Sequence, residues 1–127
     1  MKILKSAVVA FSLAIAMGSF STTALACESG RTCYTPKQAI KLVEDNIKAA
    51  QAAVASGSQA EDVIDLVKKA LDYSKEINAN DVVDRNRSKA NNHLKAAIKA
   101  AKEGNLTETT EHLNAGEKGF AALNGML

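Results

Sequence analysis

From residue 35 to residue 123 the apolar positions of this chain recur at spacings of three and four, and no stretch alternates in the manner of a strand. That period places them on one stripe of a helix. Ile40, Val43, Ile47, Ala50 and Val54 form a first stripe, and Val63, Leu66, Val67, Ala70, Tyr73 and Ile77 a second. Val83, Ala90, Leu94, Ala97, Ile98 and Ala101 form a third, interrupted by Arg87, whose stem is expected along the core edge with its charge in water. Leu113, Gly116, Phe120 and Leu123 supply the fourth.

The ends of these helices are written in the polar residues between the stripes. Thr35-Pro36-Lys37-Gln38 offers a capping hydroxyl, a proline at the first helical position and a glutamine three residues past the cap. Gly57 stops that helix, and Ser58-Gln59-Ala60-Glu61 predicts a second capping box directly after it. Asn80 or Asp81 begins the third helix, which runs to Glu103 and stops at Gly104. Asn105-Leu106-Thr107-Glu108 then repeats the cap-and-acid pattern.

The segment IKAAQAAVASG at 47–57 returns as LKAAIKAAKEG at 94–104, with Gly57 aligned to Gly104, Glu61 to Glu108 and Leu66 to Leu113. A helical hairpin that cannot bury its own apolar stripe packs against its copy. The sequence therefore predicts an all-α, up-down-up-down four-helix bundle made of two repeated hairpins, spanning 35–127 as one domain. Its core is largely alanine with scattered Ile, Val and Leu, which limits apolar area per residue. Moderate stability follows, with pairing of chains into a homodimer as one means of adding to it.

Residues 1–26 read as a secretory signal peptide: Lys2 and Lys5, an apolar run from Ala7 to Met17, then Ala24-Leu25-Ala26 before Cys27. The run is too short to cross a bilayer. A cysteine at the new N-terminus also raises lipid attachment, which calls for an aliphatic residue where this chain has Ala24. Export points to a periplasmic or secreted protein. Cleavage removes two of the 16 basic residues and none of the 14 acidic ones, so the remainder is balanced. The basic excess resides in the leader, and no nucleic-acid partner is expected. Cys27 and Cys33, the only cysteines, enclose segment 27–34 and are expected to form a disulfide in an oxidising compartment, restraining it by about 2 kcal/mol.

Candidate chemistry is sparse. The chain carries no P-loop, G-x-G-x-x-G, H-E-x-x-H or Glu-x-x-His motif, and no Ser, His and Asp set in motif context. No enzyme is expected. The two histidines, His93 and His112, fall at comparable distances on either side of Gly104, which predicts imidazoles near one level on adjacent helices. Each precedes a core leucine by one residue, a step of about 100° away from the core, so both read first as boundary histidines. Glu108 and Glu111 flank His112, and Asp45 and Asn46 occupy the related level on the first helix. Imidazole with borrowed carboxylates suits Cu, Ni or Zn as a weak, exchangeable site. No haem is expected: there is no C-x-x-C-H, and the first helix contains neither Met nor His.

Ala39-Ile40, the alanines before Gly57, Asn92-His93-Leu94 with Ala97-Ile98, and Thr110-Glu111-His112 after Gly104 resemble the small metal-binding protein family, periplasmic four-helix bundles of repeated hairpins. The resemblance, over 39–123, implies binding of divalent copper, nickel or zinc. That family is rich in histidine, whereas here most of the corresponding positions hold Ala, Lys, Asp or Asn, so low capacity is expected. The alternative is an envelope protein-interaction or structural module. Its motive is a second small-residue face of Ala49, Ala52 and Ala53 with Ala96 and Ala100, whose plainer explanation is helix propensity.

Overall fold

The computed structural model describes residues 25–26 and 32–127. The leader as far as residue 24, and Cys27 of the expected disulfide, lie outside the described residues. A short antiparallel ribbon comes first, with β1 (Leu25–Ala26) against β2 (Thr32–Cys33), Leu25 opposite Cys33 and Ala26 opposite Thr32. Four helices follow: α1 (Pro36–Ala55), α2 (Ala60–Ser74), α3 (Asp81–Lys102) and α4 (Leu106–Leu123), with a 3-10 turn at Asn124–Met126. Each helix packs on the next, and α4 closes back on α1, so the four form a ring around one core. The all-α four-helix arrangement expected from the periodicity is the fold.

Local chemistry sets the helix ends. The Thr35 hydroxyl accepts from the Gln38 amide at 3.2 Å while Gln38 Oε1 accepts from the Thr35 amide at 3.0 Å, a complete capping box at the start of α1. At the far end Gly57 has φ +74, and the Gly57 and Ser58 amides donate to Val54 and Ala53 carbonyls. The end of α3 repeats this geometry: Gly104 has φ +75, and the Gly104 and Asn105 amides donate to Ala101 and Ala100. Glycine takes this left-handed conformation without a Cβ penalty, so both helices stop with their last carbonyls satisfied.

The box expected at Ser58 does not form. Ser58 still belongs to the end of α1, its amide being committed to Ala53 and its hydroxyl lying 3.1 Å from that of Ser56. The cap of α2 is Gln59, with no side-chain hydrogen bond. Asn105, immediately after Gly104, does cap α4, accepting from the Glu108 amide at 3.1 Å. Asn80 caps α3 by accepting from the Val83 amide at 2.9 Å.

That difference in the turns shifts the second half of each hairpin. Gly57 and Gly104 are 47 residues apart, but the caps Gln59 and Asn105 are 46 apart. The buried positions of α4, which are Thr109, Leu113, Gly116, Phe120 and Leu123, therefore correspond to Val63, Val67, Ala70, Ser74 and Ile77. Leu113 matches Val67, not Leu66 as the unbroken repeat suggests. Leu66 and Tyr73 are consequently half-buried at the core edge, while Ile64 and Ser74 are buried. Tyr73 meets Tyr34 edge-on, with ring centres 5.7 Å apart, at the rim.

Ile40, Ile47, Ile77, Leu94, Leu113, Phe120 and Leu123 are the largest fully buried apolar side chains in the core, and alanines occupy much of the rest. Glycine also serves there: a Cβ on Gly119 would lie 2.9 Å from that of Ala90, so α3 and α4 approach more closely than two alanines allow. Val54 and Ile98, expected inside, are only partly buried, because Ala53 and Ala100 turn inward at the helix ends. Those two alanines belong to the core, which leaves Ala49, Ala52 and Ala96 of the five assigned to an outer face. Among the described residues no helix is long and apolar enough to cross a membrane.

Candidate functional site

The close packing of α3 on α4 decides which polar residues meet outside the core. Leu94 and Leu113 are fully buried, and they fix the rotation of the two helices about their axes. The residues one step before them, His93 and His112, are thereby turned to the groove between the helices. Their ring centres are 5.9 Å apart with planes inclined by 33°. The two histidines expected at one level are neighbours. They also keep their boundary character, His93 being exposed and the His112 side chain 30% exposed.

The carboxylates expected around them behave differently. Glu108 lies one turn before His112, and its Oε1 is 3.6 Å from His112 Nε2. Its other oxygen accepts from the Asn105 side-chain amide at 3.0 Å, so Glu108 is also part of the cap of α4. Among the described residues no three His, Cys, Asp or Glu side chains converge as a metal-holding group, so Glu111 does not complete a ligand set with the histidines. On α1, Asp45 pairs with Lys41 at 3.4 Å and the Asn46 amide donates to the Leu42 carbonyl at 2.8 Å. Both are engaged within their own helix, and among the described residues Asp45 joins no ligating group with the histidines. The chain thus assembles two imidazoles with one carboxylate beside them.

Two polar arrangements elsewhere escaped the sequence reading. Glu44 on α1 is partly buried, and its Oε1 has neither a hydrogen-bond partner nor contact with solvent. Burial is the main cause that raises its carboxyl above the ordinary value; Lys48 and Lys41 oppose this, while Asp45 and Glu117 of α4 reinforce it. The pattern places Glu44 next to core Val43, and that position was the available signal. The second is Arg87, whose guanidinium was expected in water. Instead Nη1 donates to the Ile77 carbonyl at 2.7 Å, and Nη2 lies 3.6 Å from Asp84 Oδ1.

Two open grooves among the described residues do not include the histidines. One is lined by Lys37, Gln38, Lys41, Glu44, Asn124 and Leu127, and another between α2 and α3 is lined mainly by Lys68, Asp72, Lys75, Asn91 and Lys95. Both mix charges of opposite sign on surface helices, and Ser74, which also lines the second, donates its hydroxyl to the Leu71 carbonyl at 2.6 Å. A comparison of the chain with protein-family models finds no match, and comparisons with curated proteins and with solved structures find none either.

Proposed function

We propose that this protein is an exported, non-enzymatic helical bundle that binds a divalent transition-metal ion through His93 and His112. The observation that carries the reading is the 5.9 Å separation of two imidazoles that the core does not need. A buried histidine pair would be explained by packing, whereas His93 is exposed. Neutral imidazole nitrogens are donors for copper, nickel and zinc, and an ion between them would draw on their lone pairs. Glu108 supplies negative charge on the α4 side and can reorient its Oε1 from the imidazole toward the ion. Two donors with water in the remaining positions make an exchangeable site of low capacity, suited to carrying or buffering an ion rather than locking a fold.

The same reading places the chain in the periplasm or outside the cell, with Cys27 and Cys33 paired, and relates it to the small metal-binding protein family in a histidine-poor form. Titrating the metal-free exported protein with Cu(II), Ni(II) and Zn(II) tests it. His93→Ala and His112→Ala should each abolish uptake while leaving helix content intact. Uptake unchanged in both variants would remove the proposal.

A further inference from the structure

We infer that the His93–His112 pair holds its ion between two copies of this chain, so that the metal itself makes the dimer. The inference rests on the two-imidazole reading and adds what fills the rest of the coordination sphere. Zinc and similar ions take four or more donors. This chain brings two imidazoles together, has one oxygen of Glu108 committed to Asn105, and converges no group of three ligating side chains among the described residues. The site is incomplete within one copy.

The surroundings of the pair allow a second copy to complete it. His93 is exposed and the His112 side chain is 30% exposed, and neither the groove at Lys37 nor that at Lys68 includes them. One turn along from His93 on the same side of α3 is Ala96, and one turn along from His112 on α4 is Ala115, followed by Gly119. All three are only partly exposed and none carries a side chain beyond Cβ, so the imidazoles are the projecting groups of this strip. A two-fold axis through the ion brings the same two histidines of a second copy to its open positions, giving four nitrogen donors from one self-complementary surface. Solvent water is the competing source of those donors, and it leaves the chain monomeric.

Sedimentation equilibrium and elemental analysis of the exported protein with Zn(II) distinguish the two. The expected result is a doubling of mass at one zinc per two chains, reversed by chelator and absent in His93→Ala and His112→Ala. Both substitutions are outside the core, so loss of dimer there is not loss of fold, and helix content is recorded alongside. A monomer that takes up one zinc through the same histidines overturns the bridging and leaves the metal-binding reading intact. A chain that takes up no zinc overturns both. A dimer that survives chelator, or persists in the variants, also overturns it, since the contact would then be made by other groups.

Discussion

Arg87 Nη1 stands 2.7 Å from the carbonyl oxygen of Ile77, three residues past α2, and 3.5 Å from that of Ser74, the last residue of α2, so a side chain of α3 closes the C-terminal end of the helix before it. The last carbonyls of a helix have no partners within it and carry its negative pole. The last turn of α2 has no basic residue of its own. Arg87 supplies one from across the connection, with Asp84 3.6 Å behind its guanidinium. In the 47-residue repeat Arg87 stands where the first hairpin has the buried Ile40. The difference has a position-specific cause, since Arg87 sits at the junction between the hairpins.

Replacing Arg87 with Ala should therefore leave the Ile77 carbonyl and the Asp84 carboxylate without their cation, at a cost of about 2 kcal/mol. For a domain of this size that corresponds to a fall in Tm of about 10 °C. Arg87→Lys keeps the charge but loses the planar fork and should fall between. Thermal unfolding by circular dichroism measures the series; equal Tm values would mean that the contact contributes nothing.

Gly119→Ala tests the close approach of α3 to α4. The new methyl would lie 2.9 Å from the Ala90 Cβ and 3.5 Å from its Cα, so the helices must separate. Overpacking of this kind costs about 1–3 kcal/mol, against about 1 kcal/mol gained in helix propensity. Net destabilisation is expected, and Ala90→Gly should partly rescue it by vacating the same space. Gly104→Ala should also destabilise, because its φ of +75 suits glycine, yet Ala90→Gly should not rescue that variant.

The raised carboxyl of Glu44 gives stability a pH dependence of defined sign. A folded-state value above the unfolded one means that the native state binds the proton more tightly, so stability falls as pH rises through that interval. At neutral pH the charged form is destabilising, with Oε1 lacking a partner. Glu44→Gln should raise Tm by a few degrees at pH 7, and the advantage should vanish as the pH drops below the ordinary carboxylate range. A constant difference between variant and parent from pH 4 to pH 8 would contradict this.

Metal binding at the histidine pair should appear as stability. An ion that binds only the folded chain adds about 2.7 kcal/mol at 100 times its Kd. Zn(II) at that excess should raise Tm by at least about 10 °C, and chelator should reverse it. The shift should be missing from His93→Ala and His112→Ala, while a shift that survives both substitutions would place the ion elsewhere.

Much of this molecule was legible before any coordinates. Thr35 with Gln38, Gly57, Asn80, Gly104 and Asn105 with Glu108 announce helix ends through hydrogen bonds made within four or five residues, and local chemistry suffices to read them. The level of His93 and His112 followed from counting 11 residues back and 8 residues on from Gly104. The role of Arg87 did not, because Ile77 is ten residues away and a helix end earlier. Nor did the absence of Asp45 from any ligating group with the histidines among the described residues, since a shared level along a bundle does not mean a shared face.

The sequence by itself determined four helices, the ends set at Thr35, Gly57, Asn80, Gly104 and Asn105, and the hairpin repeat, because period and capping are properties of short windows of chain. Only the tertiary structure decided that the second helix of each hairpin repeats at 46 rather than 47 residues, which exchanges Tyr73 for Ser74 in the core. It likewise decided that the Glu108 carboxylate is divided between a cap and an imidazole. Rotation of one helix against another is set by side chains interlocking across the interface. A single residue gained in a turn rotates everything after it by about 100°.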